Sequence, residues 1–199
     1  MKQPTGTFIN GEPRASSGER FTLTNPATEE RFLELSSSTP DDVDRAARGA
    51  LKTFEQTWRD MTPGRRAEIM YNIARLIRAN QDELARLDMQ SVGKPIADAR
   101  DEVALGARIF EFYAGAISTF CGQTIPVAAG GFDFTLRQPM GVVAAIVPWN
   151  FPFPITCWKL APALATGNTV ILKPAQPSPL SALRLAELTG EAGLPAGCL

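Results

Sequence analysis

The sequence predicts an α/β protein, because strand-like and helix-like segments alternate in the last third of the chain. Two short apolar runs typical of buried strands, residues 141–147 and 169–172, flank one helical segment at 154 to about 165. A further helix is predicted from 179 to about 190, with Ser178 as its cap. This order predicts two parallel strands joined by one helical crossover.

The N-terminal segment predicts a small β element followed by a helix. Residues 7–9 and 21–24 are strand-like, and the turn-rich segment between them predicts one hairpin. A helix is expected from Pro40, since Thr39 can cap it and its first turn is acidic. Apolar residues recur along this helix at intervals of three and four, which predicts one stripe packed on a core. They are Val43, Ala46, Ala47, Ala50, Leu51, Phe54 and Trp58.

Three more helices are predicted in the middle of the chain. They cover 63 to about 79, capped by Thr62, then 81–89, and 96 to about 120. The residues expected to be buried on the first and last of them are Ile69, Ile73, Leu76, Ile77, Val103, Phe110, Tyr113, Ile117 and Phe120. Gly106 and Gly115 lie inside the last helix, where each costs roughly 1 kcal/mol relative to alanine. Close helix packing is the expected reason for them.

Residues 121–140 predict a projecting hairpin, with strands at 123–127 and 132–137 around a loop that contains two glycines. An exposed strand edge invites pairing with another chain, so this hairpin is a candidate oligomer contact. An ordinary solvated hairpin explains the same pattern.

Polar side chains follow both predicted parallel strands. Asn150 closes the first, within Pro-Trp-Asn-Phe-Pro at 148–152, and Lys173 closes the second. Ligands of open α/β sheets bind outside the carboxyl ends of the strands, so an amide and an ammonium placed there would face a common crevice. The sequence therefore predicts a ligand site. Because no Gly-x-Gly-x-x-Gly fingerprint is present, this prediction depends on position and polarity.

Composition excludes several classes of function. The 199 residues are 44% apolar and carry both charge signs, which is typical of a soluble globular protein, and a net charge of -1 gives no reason to expect nucleic acid. No apolar run reaches the roughly 18 residues that span a membrane, and residues 1–6 lack the hydrophobic segment of a secretion signal. A cytoplasmic protein is expected.

Histidine is absent, which removes the commonest general base, the Ser-His and Cys-His nucleophile pairs and histidine-based zinc sites. Cys121, Cys157 and Cys198 are odd in number and far apart in sequence. They suit neither a disulfide framework nor a paired-cysteine zinc site, so reduced thiols and no metal are expected.

Several motifs occur together in a characteristic order. The most specific are residues 147–152, 158–168 and 172–175, and shorter ones lie at 8–11, 25–28, 93–95, 113–115, 122–126 and 192–195. Together they resemble the aldehyde dehydrogenase superfamily over nearly the whole chain. The resemblance implies a helical N-terminal part plus the first β-α-β of a Rossmann-like cofactor-binding sheet, incomplete within these residues.

The same resemblance implies a division of the chain. Residues 1–120 would be the N-terminal part of the cofactor-binding domain, 121–140 an oligomerisation hairpin, and 141–199 the first β-α-β-α of the cofactor-binding sheet. The catalytic domain is expected to be absent. A homo-oligomer, dimer or tetramer, is implied for the complete protein.

The implied activity is oxidation of a small-molecule aldehyde to a carboxylic acid with NAD or NADP, through a cysteine thioester. Asn150 matches the family asparagine whose amide stabilises the oxyanion, and Lys173 resembles the lysine that binds the adenosine ribose hydroxyls. The residues implied to bind the cofactor are Ile146, Val147, Pro148, Trp149, Lys173, Pro174, Ala175 and Gln176.

Two residues of the crossover helix are implied to act near the substrate. Lys159 resembles a helix lysine with a charge-relay or proton-transfer role in some members, and a surface lysine with a buried stem is the alternative. Trp158 would line the aldehyde entrance, although an aromatic residue on an apolar helix face is more often core.

Two departures from the family pattern carry information. Gln176 stands where many NAD-specific members have a glutamate that repels the extra phosphate of NADP, so we expect this chain to permit both cofactors. Ser91 stands where an acidic residue is frequent, which weakens any implied monovalent-cation site.

The family's nucleophilic cysteine, general-base glutamate and glycine-rich cofactor turn would all follow Leu199, and none of the three cysteines occupies the nucleophile's place. An N-terminal portion that is inactive alone is therefore expected, and with two parallel strands it should be marginal or partner-dependent. The alternatives are a short non-catalytic nucleotide-binding or oligomer-modulating module, and a chain completed by another polypeptide. The identity of the aldehyde does not follow from these residues.

Overall fold

The computed structural model describes residues 6–199, so most of the segment considered for a secretion signal, residues 1–5, lies outside the described residues. The α/β class predicted from the sequence is confirmed. The strands are β1 (Gly6–Ile9), β2 (Glu12–Ala15), β3 (Arg20–Thr24), β4 (Arg31–Ser36), β5 (Thr124–Ile125), β6 (Asp133–Phe134), β7 (Val142–Ile146) and β8 (Thr169–Lys173). The helices are α1 (Pro40–Thr53), α2 (Pro63–Ala79), α3 (Gln81–Val92), α4 (Ile96–Ala116), α5 (Pro152–Ala165) and α6 (Leu180–Glu191).

The N-terminal β element consists of two hairpins, so the prediction of a single one is wrong. β1 pairs antiparallel with β2, and β3 pairs antiparallel with β4. The chain reverses at Asn10 and Gly11, whose φ angles are 54° and 81°, and this Asn-Gly turn returns it directly onto β1. Pro13 lies in the exposed strand β2, where a missing N–H is tolerated at a sheet edge.

The predicted cap of α1 is confirmed as a capping box. The Thr39 hydroxyl accepts from the Asp42 N–H, and the Asp42 carboxylate accepts from the Thr39 N–H at 3.0 Å. Donation by the Thr39 N–H and by the hydroxyls of Ser16 and Thr39 lowers the pKa of Asp42 to about 2. The predicted stripe is only partly buried, since α1 packs on β1, β7 and β8 and leaves Val43 and Leu51 exposed.

The main core lies between α2, α4 and α5. A five-residue π-helical turn after α1 places Trp58 in this core, where Phe110 and Phe153 are also fully buried. The prediction that Phe120 is buried is wrong, because α4 ends at Ala116 and the ring is 55% exposed. A smaller apolar cluster joins the β3–β4 hairpin to α3 and α6.

Gly106 lies where α4 packs closely on α5, and close helix packing is what the sequence predicts for this glycine. A methyl group added in ideal geometry to its Cα would lie 2.5 Å from the Phe153 ring and 2.9 Å from the Cys157 sulfur. Only glycine therefore lets the two helices approach this closely without displacing side chains. Gly115 is less constrained, with the Tyr71 hydroxyl 3.3 Å from the same position.

β7 and β8 form the predicted parallel pair, in register from Val142 opposite Thr169 to Ile146 opposite Lys173. The side chain of Asn168, directly before β8, connects the starts of the two strands. Its oxygen accepts from the N–H groups of Met140 and Gly141, directly before β7, at 2.7 and 3.0 Å. On the other edge of β8, Val170 donates to the carbonyl of Cys198 at 2.8 Å.

The predicted cap of α6 is wrong. Pro179 occupies the N-cap position, so the helix begins one residue later than predicted. Ser178 belongs to the preceding turn, in which its N–H donates to the carbonyl of Ala175. Within the described residues the Ser178 hydroxyl is buried without a hydrogen-bond partner.

The 121–140 hairpin exists as predicted, with β5 and β6 antiparallel and exposed on both faces. Its strands are shorter than predicted, two residues each. Phe132 and Leu136 are 75% and 73% exposed. Among residues 6–199, no helix is both long and apolar enough to cross a membrane.

Candidate functional site

The carboxyl ends of β7 and β8 lie side by side, and this edge carries most of the site predicted from sequence. Ile146 is in register with Lys173, and Val147 donates its N–H to the carbonyl of Lys173 at 3.2 Å. Asn150 follows β7 in a turn before α5, and Gln176 follows β8 in a turn before α6. The structure thus brings residues 146–150 and 173–176 together at one strand edge.

The polar side chains at this edge are exposed and free. Within residues 6–199, the side chains of Asn150, Lys173 and Gln176 form no hydrogen bond or ion pair. Beside them, Ile146 and Trp149 are 74% and 57% exposed, whereas Val147 is buried. Large exposed apolar side chains next to free donors and acceptors are typical of a surface that binds a ligand or another segment.

Trp158 and Lys159 lie further along the same crossover, in the second turn of α5. Both are exposed, and Trp158 retains 48% of its accessible surface. The alternative that Trp158 is a core residue is therefore wrong for this structure. In the described part of the chain, no hydrogen bond or ion pair connects Lys159 with the strand edge.

The turn that carries Asn150 contacts Lys94, a residue for which the sequence motifs alone indicate no role. The Lys94 ammonium donates to the backbone carbonyl of Asn150 at 3.3 Å and lies 5.0 Å from the centre of the Phe151 ring. It also forms an ion pair with Glu102 on α4. Lys94 and Asn150 are 56 positions apart, so local sequence patterns contain no signal for this contact.

Asp88 on α3 is a buried carboxyl group behind the same turn, 1% exposed. Burial raises the pKa of Asp88 to about 6. The Ser181 hydroxyl, the Lys94 charge and the Phe153 N–H favour the charged carboxylate and act to lower the pKa, but their effect is smaller. None of these groups lies in hydrogen-bonding geometry with either carboxylate oxygen in the described residues. The negative charge of Glu102 raises the pKa further.

This pKa predicts a pH-dependent stability. Because the folded pKa of about 6 exceeds the ordinary value of 3.8, the folded state holds the proton more tightly, and stability should fall as the pH rises from about 4 to 6. The charged form then costs roughly 3 kcal/mol. Asp88→Asn should therefore stabilise the protein at pH 8 and have a much smaller effect at pH 4. Urea unfolding midpoints at both pH values measure this, and an equal gain at both would contradict it.

The three cysteines do not supply a reactive thiolate to this edge. Burial raises the pKa of Cys157 well above its ordinary value, with the charge of Asp88 adding to the effect, and raises the pKa of Cys198 to about 12. Thiols of this kind stay protonated near neutral pH and are poor nucleophiles. Cys121 is exposed at the base of the 121–140 hairpin.

The donor set at the strand edge fits a nucleotide. A free ammonium on Lys173 and a free amide on Gln176 can hydrogen-bond to ribose hydroxyls, and the exposed apolar residues beside them offer flat contact area. The position also agrees with the rule that ligands of parallel sheets bind beyond the carboxyl ends of the strands.

The parallel strands and their helical crossover define an α/β protein with a Rossmann-like first β-α-β unit, and free polar side chains lie at its strand edge. Residues 14–199 match the model of the aldehyde dehydrogenase family. The chain belongs to the aldehyde dehydrogenase family.

Relatives and solved structures agree with this assignment. The chain is 44% identical to DhaS of Bacillus subtilis (strain 168), over 97% of this chain and 41% of DhaS. It is also 44% identical to the NADP/NAD-dependent aldehyde dehydrogenase PuuC of Escherichia coli (strain K12), over 96% of this chain and 39% of PuuC. The chain thus spans about two fifths of the length of these curated relatives.

The structure of AldA, an indole-3-acetaldehyde dehydrogenase of P. syringae in complex with NAD+ and IAA, superimposes on this chain with a TM-score of 0.95 and is 39% identical to it. The superposition covers all of this chain and 41% of the AldA chain. An aldehyde dehydrogenase from Bacillus cereus in complex with NAD+ gives a TM-score of 0.94 and 39% identity, covering 98% of this chain and 40% of the other.

Proposed function

We propose that the whole protein oxidises an aldehyde to a carboxylic acid with NAD or NADP, and that residues 6–199 contribute part of the cofactor site and the oxyanion donor. The observation that carries the proposal is the set of free polar side chains at the ends of β7 and β8 in a chain of this family. When bound, the oxidised nicotinamide accepts the hydride that leaves the aldehyde carbon.

Two side chains at the edge have distinct roles in this proposal. The amide of Asn150 donates a hydrogen bond to the oxygen that becomes negative when the carbonyl is attacked. The ammonium of Lys173 donates to the ribose hydroxyls of the adenosine half. Residues 146–149 and 174–176 complete the surface along which the cofactor lies.

Lys159 and Trp158 are proposed to act on the substrate side of α5. The exposed ring of Trp158 suits contact with an apolar aldehyde, and the exposed ammonium of Lys159 suits proton transfer or charge relay. The nucleophile is proposed to be a cysteine thiolate that forms a thioester with the substrate, and it would come from outside residues 6–199.

The proposal is tested with the whole protein, purified and supplied with NAD or NADP and a series of aliphatic and aromatic aldehydes. We expect reduced cofactor to form only when both the aldehyde and the oxidised cofactor are present. One molecule of carboxylic acid should form for each molecule of cofactor reduced. Reduced cofactor without carboxylic acid, or no reaction with any aldehyde, would contradict the proposal.

Gln176 is proposed to admit both cofactors, because a neutral amide does not repel the 2′-phosphate of NADP. We expect Gln176→Glu in the whole protein to lower kcat/KM with NADP by roughly tenfold or more relative to NAD, since a new carboxylate would lie beside that phosphate. Gln123→Glu adds the same charge in the 121–140 hairpin and should leave the ratio unchanged. A native preference for NAD above about a thousandfold would overturn this role of Gln176.

A homo-oligomer is proposed for the whole protein, with the 121–140 hairpin as a contact. Its exposed Phe132, Phe134 and Leu136, in and beside β6, support this, because covering large exposed apolar side chains with another chain is favourable. Light scattering gives the mass of the particle in solution, and a monomer would contradict the proposal. A cytoplasmic location stays a prediction from composition.

A further inference from the structure

We infer that Lys94, anchored by Glu102, is a positioning residue that holds the backbone turn from which Asn150 presents its amide. The inference rests on the proposed function, in which that amide stabilises the oxyanion. It concerns how the donor is held in place, and it assigns Lys94 no contact with the substrate or the cofactor.

Two contacts connect Lys94 with the turn. Its ammonium donates to the backbone carbonyl of Asn150 at 3.3 Å, and it lies 5.0 Å from the centre of the neighbouring Phe151 ring, within cation–π range. The same ammonium forms an ion pair with the Glu102 carboxylate. Lys94, in the connection between α3 and α4, therefore contacts two consecutive residues of the turn, while an acidic partner on α4 fixes its own position.

The flanks of the turn are held by the N–H of Val147 bonded to Lys173 and by the N–H of Ile155 bonded to Phe151, whereas among the described residues the hydrogen bond to Asn150 itself comes from Lys94. Asn150 and Phe151 are exposed, and the Asn150 side chain has no hydrogen-bond partner within residues 6–199. The orientation of the amide thus depends on its backbone. An oxyanion donor is effective only when it is held close to hydrogen-bonding distance from the developing charge, so a loose turn would weaken it.

The surroundings of Lys94 make it a rigid support. The Lys94 and Glu102 side chains are only 11% and 13% exposed. Gly93, with φ of 72°, ends α3 in the left-handed conformation, and a Cβ there would meet Pro26 at 2.8 Å. The glycine lets the chain turn sharply before Lys94, and the burial of the ion pair restricts the lysine to few conformations.

The contact to a backbone carbonyl distinguishes this role from a general structural one. A residue that only stabilises the fold would affect all parts of the site, whereas Lys94 should affect the step in which the Asn150 amide acts. Its loss should therefore lower kcat by a larger factor than it raises the KM for the cofactor, because Lys173 and Gln176, which are proposed to hold the cofactor, follow β8 and not the Asn150 turn.

The test is a double-mutant cycle in the whole protein with Lys94→Met and Asn150→Ala. We expect Lys94→Met alone to lower kcat about 10- to 100-fold, less than removal of the donor itself. In the Asn150→Ala background the same change should lower kcat by less than about twofold, because the group that Lys94 positions is already absent. Equal losses in both backgrounds would overturn the inference.

Arg78→Met is the matched control. Arg78 also forms an ion pair with a glutamate of α4, Glu111, but it does not contact the turn. It should leave kcat unchanged. Since Lys94→Met leaves Glu102 buried without its partner, Lys94→Met combined with Glu102→Gln serves as a charge-balanced variant, and it should show the same loss of kcat with better folding.

Hydrogen exchange separates this inference from the proposed function. In Lys94→Met the N–H of Ile155, which donates to the carbonyl of Phe151 in the turn at 3.2 Å, should exchange faster than in the native protein and in Arg78→Met, and this result does not require activity. If the native protein oxidises no aldehyde, the proposed function is contradicted while faster exchange still supports the positioning by Lys94. Unchanged exchange of the Ile155 N–H would overturn the positioning whatever the activity.

Discussion

Asn150→Ala in the whole protein is expected to lower kcat for aldehyde oxidation about 100- to 1000-fold. The amide would donate to an oxygen that becomes negative only as the reaction proceeds, so its loss raises the barrier without weakening substrate binding. In the structure this amide has no partner within residues 6–199 and is exposed at the strand edge, so no protein group competes for its hydrogen bond.

Steady-state kinetics with one aldehyde and saturating cofactor measure this effect. The KM values should change by less than about threefold, because the interaction forms only in the transition state. Asn72→Ala, on α2, removes an amide far along the chain from this edge and should leave kcat unchanged. A decrease of kcat smaller than about fivefold for Asn150→Ala would contradict the assigned role.

Gly106→Ala and Gly64→Ala are expected to change stability in opposite directions. At Gly106 the added methyl group would lie 2.5 Å from the buried Phe153 ring, so α4 and α5 must separate, which should cost roughly 1–3 kcal/mol. At Gly64, in the first turn of α2, no atom lies within 4 Å of the added group. There alanine should stabilise the protein by roughly 0.5–1 kcal/mol, because it restricts the unfolded chain.

The two variants contain the same chemical change in two helices, so each is the control for the other. Urea unfolding of the whole protein and of both variants, monitored by tryptophan fluorescence, would measure the difference. Trp58 is fully buried in the core formed with α4 and α5, which makes it a suitable probe. If Gly106→Ala were as stable as Gly64→Ala, the close packing of α4 on α5 would be contradicted.

Local chemistry explains where the sequence predictions succeeded. The cap of α1 by Thr39 formed as expected, and the structure adds the reciprocal bond from Asp42, because the two residues satisfy each other within one turn. The crossover between β7 and β8 followed from two apolar runs around a helix, since parallel strands require such a connection. The same pattern placed Asn150 and Lys173 at one edge.

The wrong predictions involve choices between competing local signals. The Asn-Gly turn at residues 10–11 is a strong signal for a tight hairpin. Turn-forming residues continue as far as Gly18, and the prediction treated residues 10–18 as one connection. It therefore missed β2 and the second hairpin. Ser178 and Pro179 both suit the start of a helix. In the structure the N–H of Ser178 donates to the Ala175 carbonyl within the preceding turn, and Pro179 is the N-cap residue of α6.

The sequence by itself determined the α/β class, the order of helices and strands around the crossover, and the strand edge where Asn150 and Lys173 lie, because periodicity and turns act over a few residues. Only the tertiary structure decided the contact of Lys94 with the Asn150 turn, the burial of Asp88 and the approach of α4 to α5 at Gly106. These features join residues far apart in the chain, and their energies depend on distance and burial, which local sequence patterns do not specify.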